Sequence, residues 1–356
     1  MIRFAWIQSR TQNLVAIAGL VGLAVALAIT GPHLVHLYYT LVAGCQARGN
    51  CPTATEVFLR HDSALRGWLG ILVVVVPAVG GIFWGAPLVA RELETGTFRL
   101  AWTQGVTRTR WLAVKLGVVG LASTALAGLL ALMVTWWASP LDRARMDAWS
   151  VFDQRDVVPV GYAAAAFVLG VTAGILVRRA LPAMATTLVA FGGTRLAVSH
   201  WLRPHLLSPA RLSVALDPNS MGFGSDGSGP PNLVPNPPDM ANAWIYSDRI
   251  VDHAGHALTP QVVAAACPAL DNPSLGGPPP GPLPGPGHVF TLKVPGAVQS
   301  AMHDCVSTIG TRYHGLVTYQ PASRYWAFQW YELAIYLGLA VALAGGCLWW
   351  VRRRLS

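Results

Sequence analysis

The sequence predicts an all-α polytopic membrane protein: six transmembrane helices, with a small α+β, Pro-rich extracellular domain between helices five and six. Three observations carry this. The chain of 356 residues is 53% hydrophobic and only 12% charged, whereas a soluble domain carries about a quarter charged residues. Several apolar runs approach the ~20 residues that cross a bilayer. The basic residues are also distributed unevenly between alternate loops, as shown below.

Residues 1–12 mix Arg3 and Arg10 with Phe4, Trp6 and Ile7. This predicts a short interfacial helix, aromatics at headgroup depth and Arg toward water. A first membrane helix follows from about Asn13 to Thr30, within a helical region taken as 13–202. A secretory signal is the rival reading, with Ala26-Leu27-Ala28 as a cleavage site; the apolar run is long for one. Gly19 and Gly22 permit close helix packing, although ordinary small-residue content explains them equally well. Residues 31–67 read as a polar loop. The second helix is expected from Trp68 to Val89, through Pro77, which is tolerated where neighbours satisfy the freed carbonyl.

The elbow follows, over residues 90–110. Its Glu92-x-Glu94-x-Gly96-Thr97 core predicts a short helix stopped by Gly96, because glycine tolerates a left-handed turn. Thr107 stands where the next helix wants an N-cap. On the residues alone, a docking element and a merely connecting solvated loop both fit. The third helix is expected from Trp111 to Trp137, ending in an aromatic pair. A short loop holds Asp142, Arg143, Asp153 and Asp156. The fourth helix spans about Val158 to Val177, and Arg178-Arg179 make a tight turn. The fifth runs from about Leu181 to Trp201.

Residues 203–325 are of different composition. The stretches PPNLVPNPPD and LGGPPPGPLPGPG exclude regular helix and central strand. AWIYSDRIVDHAGHAL reads as two short strands around a turn. TPQVVAAACPAL and PGAVQSAMHDCVSTI read as short helices, each with a Cys. The sixth helix, from about Ala327 to Val351, belongs to a closing segment 326–356 that ends in Arg352-Arg353-Arg354.

Six helices place the N-terminus, the elbow, the Arg178-Arg179 turn and the C-terminus on one side. That side holds twelve basic and two acidic residues, a net +10; the other holds twelve basic and thirteen acidic, a net −1. Arg195 and Glu332 lie within helices. Short basic loops mark the cytosolic face, so both termini are expected inside, in a plasma-membrane protein. The net charge of +9 therefore reflects topology and not nucleic acid.

Cys45, Cys51, Cys267 and Cys305 fall on the expected outer side, where disulfides persist. Cys45–Cys51 and Cys267–Cys305 are the expected pairs, the first two sharing one short loop; four cysteines allow three pairings. Cys347 reads as a buried apolar side chain. No paired Cys-x-x-Cys or close His-Cys set suggests a metal, and no cofactor is expected. There is no Gly-x-x-x-x-Gly-Lys-Ser/Thr loop, no Gly-x-Ser-x-Gly elbow and no His-Glu-x-x-His helix, so no catalytic residues are assigned. Arg195 and Glu332 are costly inside a bilayer. Either they pair, or share an interhelical polar network, or each reaches separately to the headgroups.

This pattern resembles the type-2 permeases of ATP-binding-cassette (ABC) transporters. Arg91-Glu92-Leu93-Glu94-Thr95-Gly96-Thr97, with Thr107-Arg108 and Lys115, is similar to that family's coupling-helix region. Arg195 with Leu202-Arg203-Pro204, and the Tyr319-Gln320-Pro321 to Arg324-Tyr325-Trp326 run, resemble a drug-export-type subgroup. The resemblance implies a non-catalytic subunit working as two copies with two copies of a separate ATPase, moving an amphipathic drug, peptide or lipid-like compound outward. It implies ATPase-coupling roles for Arg91, Glu92, Glu94, Gly96, Thr97, Phe98, Arg99, Thr107 and Arg108. The alternative is a membrane-anchored sensor or immunity protein whose outer domain binds a ligand without transport.

Overall fold

The computed structural model describes residues 2–46, 52–97, 107–216, 221–224, 232–235, 240–266 and 296–354. Two compact units emerge: residues 1–207 with 323–356, and residues 208–322.

The first unit is helical. Among the described residues, six helices are long and apolar enough to cross a membrane: Leu14–Ala43, Ser63–Thr95, Arg108–Arg145, Val158–Val177, Ala180–His205 and Ala322–Arg353. They are called the first to sixth helices below. The fourth matches its sequence-predicted bounds; most others run longer than the apolar pattern suggested.

The first helix begins at Ile2 and continues to Leu37, so residues 2–12 are its opening turns and not a separate helix. It then passes through a π-helical segment, Tyr38–Ala43. The polar loop expected over 31–67 is largely helical, because Pro52–His61 forms a further helix. Its buried Phe58 packs with Leu34, Val42, Trp137 and Leu141, and that apolar contact holds an otherwise polar segment in place. The third helix extends to Arg145 and ends at Met146 in a left-handed conformation, φ 53°. The aromatic pair expected at its end therefore splits. Trp136 is exposed, whereas Trp137 is buried and donates its Nε1 hydrogen to Thr30 Oγ1 at 2.9 Å.

The fourth helix is the centre of the unit. It is rich in Ala and Gly, so neighbouring backbones come close. A Cβ on Gly85 would stand 2.5 Å from the Phe167 carbonyl oxygen, and one on Gly174 2.6 Å from that of Ala86. Gly170 and Gly81 meet in the same seam, backbone against backbone. Small residues permit this approach in membranes, where packing and not water expulsion drives association. On the second helix the seam coincides with a π segment, Gly80–Gly85. Gly19 and Gly22, the sequence's candidates for close packing, have nothing within 4 Å.

The second unit contains a three-stranded antiparallel sheet. Its strands are β1 (Ala210–Val214), β4 (Trp244–Asp252) and β5 (Tyr313–Gln320), in the order β1-β5-β4. A two-stranded sheet pairs β2 (Met221–Gly224) with β3 (Asn232–Pro235); the latter lies in the first Pro-rich stretch, as an edge strand. The predicted hairpin at 243–258 is one long strand whose return makes only a bridge, Val251 to Ala257. Its true partner is β5. Helices Pro260–Ala266 and Gly296–Gly310 fall where expected. Ile250, Val306, Leu258 and Val263 form the core of this unit.

Candidate functional site

The elbow is anchored to the bundle at three points. The second helix does not stop near Val89 for a separate short helix to begin, as the sequence suggests. Past its π segment it continues as α-helix to Thr95, and Gly96 ends it at φ 74°, where a Cβ would meet nothing within 4 Å. Thr95 Oγ1 donates to Arg91 O at 2.8 Å and lies 3.1 Å from Thr97 Oγ1. Across the gap, Thr107 caps the third helix, its hydroxyl accepting from Arg110 N at 3.4 Å. Phe98 and Arg99 lie outside the described residues.

Glu92 faces inward. Its carboxylate receives Lys115 Nζ in an ion pair, and the same ammonium donates to Leu88 O at 3.2 Å. Lys115 is 3% exposed and lies 4.8 Å above the Trp111 ring centroid. Glu94 Oε2 accepts from Ala180 N at 3.1 Å, at the start of the fifth helix, where unsatisfied N–H groups favour a carboxylate. Both acids are thus engaged within the chain. Arg91, Arg110, Arg178, Arg179, Arg352 and Arg353 are exposed. Val89, Trp111, Ile175 and Val351 share one apolar cluster, so these helix ends lie together and present a mainly basic rim. Arg108 is half-buried.

At the opposite ends of the helices lies a buried charge cluster. Arg203 Nε donates to Glu332 Oε2 at 2.7 Å and Nη2 to Oε1 at 2.9 Å. Arg203 also pairs with Asp153. Arg195 Nη2 lies 3.4 Å from Asp153 Oδ2, and its guanidinium stacks 3.6 Å from the Tyr162 ring centroid. Tyr162 OH lies 2.9 Å from Asp153 Oδ1 and 2.6 Å from Glu332 Oε1. Of the three sequence alternatives, the shared network is the one seen: Arg195 meets Asp153 and Glu332 meets Arg203, and Arg203 and Tyr162 join the two acids. Sequence reasoning missed Asp153 because it sits in a loop, on the 3₁₀ turn Trp149–Gln154. Arg203 opens the segment 203–325 in the sequence reading, although it stands in the Leu202-Arg203-Pro204 run that carries part of the resemblance.

Asp153 and Asp156, three residues apart, are driven in opposite directions. Burial alone would raise the Asp153 carboxyl, but Arg203 and then Arg195 hold it below its ordinary value. Asp156 is raised by burial, against the opposing hydrogen bond from Tyr325 OH at 2.8 Å.

Cys347 is a free, buried thiol. Cys45 and Cys305 are not free. Their expected partners, Cys51 and Cys267, lie outside the described residues. Among the described residues no group of three His, Cys, Asp or Glu is placed to hold a metal.

No curated protein and no solved structure matches the chain. The family model for ABC-2 membrane transporter related proteins matches residues 17–203. That range takes in nearly all of the first five helices, the elbow, Asp153, Arg195 and Arg203, and leaves out Glu332 and the second unit.

Proposed function

The chain belongs to the ABC-2 membrane transporter related family, and on that premise we propose that it is the membrane-spanning subunit of an ATP-driven exporter. Its family and its six apolar helices make it a multi-pass membrane protein of permease type. In the proposal, two copies form the pathway and each elbow rests on a separate ATP-hydrolysing subunit. The cargo is an amphipathic drug, peptide or lipid-like compound moved outward. Both termini are cytosolic, in the plasma membrane, and residues 208–322 are outside. The Cys45–Cys51 and Cys267–Cys305 pairs would then lie in an oxidising compartment.

The observation that supports this reading is the anchoring of the elbow. It extends the second helix without a break, is pinned to the third through Lys115–Glu92, and touches the fifth through Glu94–Ala180. A force on it would reach three helices at once. Exposed arginines such as Arg91 suit an acidic docking surface; Arg91 and, from the elbow sequence, Phe98 and Arg99 are the proposed contacts, and Glu92 and Glu94 the internal braces.

A second reading keeps the chain as a sensor, its outer unit binding a ligand without transport. What favours it is that residues 208–322 form a compact unit with its own core and lie outside the family match. One experiment separates the two. The full-length protein is purified from its native membrane and assayed for a co-purifying ATPase. Arg91→Glu with Phe98→Asp should abolish co-purification while leaving the unfolding midpoint unchanged. Absence of any ATPase, or its retention by this variant, would count against the exporter reading.

A further inference from the structure

Arg195 and Arg203 are eight residues apart on the fifth helix. On an unbroken α-helix of 3.6 residues per turn they would point roughly 80° apart. Between them Val198–Leu202 forms a π segment, whose i→i+5 bonds accommodate an extra residue in the turn. That widening offsets the angle, so one helix presents two guanidiniums to Asp153. The two sides of the cluster are not equally satisfied. Arg203 bonds both Asp153 and Glu332, whereas Arg195 Nη1 and the Tyr336 hydroxyl are buried without a hydrogen-bond partner among the described residues. The chain leaves the helical unit after residue 207 and returns at 323. Arg203 and Glu332 thus hold the outgoing and returning segments to each other.

We infer that the π segment and the Asp153–Arg203–Glu332 cluster form a two-position latch between the fifth and sixth helices. With the π turn in place, Arg203 is locked between its two acids. When the turn relaxes to α-helix, Arg203 rotates off them and the end of the fifth helix parts from the sixth. Breaking a buried ion pair is otherwise costly because it strands a charge. Here Arg195 stays on Asp153 and the Tyr162 hydroxyl on Glu332, so neither acid loses every partner. The latch stands apart from the transport reading and would serve a sensor equally well.

The test is thiol accessibility in the full-length protein in nanodiscs. Val198, 6% exposed within the π segment, is replaced as Val198→Cys in a Cys347→Ser background, and its maleimide labelling is timed. Glu332→Gln, Arg203→Gln and deletion of Ser199 should each speed labelling at least about tenfold, a modest fraction of what removing one partner of a buried pair does to an opening equilibrium. Combining the deletion with Arg203→Gln should add nothing further, since both release the same contact. A control thiol introduced by Ala163→Cys, on the fourth helix at a site 1% exposed, should stay slow throughout. Unchanged labelling at position 198, additive acceleration there, or equal acceleration at position 163 would each overturn the latch. Should the deletion fail to fold, the two point variants decide alone.

Discussion

Lys115 and Glu92 form a buried ion pair that ties the last turns of the second helix to the first turns of the third, on either side of the elbow. Removing one partner of such a pair leaves an uncompensated charge, at about 3–5 kcal/mol; replacing both with apolar groups is often neutral. Lys115→Met should therefore lower the unfolding free energy by about that much. Lys115→Met with Glu92→Met should recover most of it. Chemical unfolding in detergent micelles checks this, and equal losses in the single and double variants would contradict it.

Reversing both elbow acids is a poor test of coupling, because the engaged roles of Glu92 and Glu94 make it a stability test. Glu94→Ala removes the acceptor for Ala180 N. It should cost about 0.5–1 kcal/mol, typical of a charge at a solvated helix start. Glu94→Gln should cost less. Salt should shrink the difference between wild type and Glu94→Gln, since the charge contribution is screened.

The glycine seam predicts a sharp contrast. Gly170→Ala places a methyl group into the Gly81 backbone and should cost at least about 2–3 kcal/mol, the range of core overpacking. Gly19→Ala meets nothing within 4 Å. It should be neutral or gain up to about 1 kcal/mol through helix propensity. Thermal midpoints of the two variants, side by side, decide it. If Gly19→Ala instead weakens self-association, a second copy packs on that face.

Asp153 and Asp156 should respond oppositely to pH. Asp153 has a depressed folded-state value, so its contribution is present above the ordinary 3.8 and is lost as pH falls through the folded value below it. Asp153→Asn should thus cost about 1–3 kcal/mol at neutral pH, reduced for its partial exposure. The loss should fade in strong acid. Asp156 is raised, so ionising it opposes folding above 3.8. Asp156→Asn keeps an acceptor for Tyr325 and tolerates the left-handed φ of 59°. It should raise the midpoint at neutral pH and have little effect near pH 3.

Much of the bundle is legible in the sequence because a lipid-spanning helix needs only an apolar run of known length. The fourth helix, bounded by Asp156-Val157 and Arg178, can be placed to the residue. The ends of the others cannot, because hydropathy falls before helical hydrogen bonding does. The polar turns around Arg143 and Arg60 are held by buried Leu141 and Phe58. In the elbow, Gly96 and Thr107 announce their roles through local backbone chemistry. The inward turn of Glu92 does not, since it depends on Lys115, which is 23 residues away. Arg195 and Glu332 stand out as charges within apolar runs. Their actual partners, Asp153 and Arg203, lie just beyond such runs, where a charge attracts no notice. The role of β5 is hidden because its pairing with β4 joins segments some 70 residues apart.

The contact between the second and fourth helices has a mechanical meaning. Where backbones touch with no side-chain layer between them, there is little on which to slide. The two helices behave as one plank. A push delivered at Gly96 would lift the centre of the bundle as well as its edge, leaving the loosely packed first helix to mark where the moving part ends.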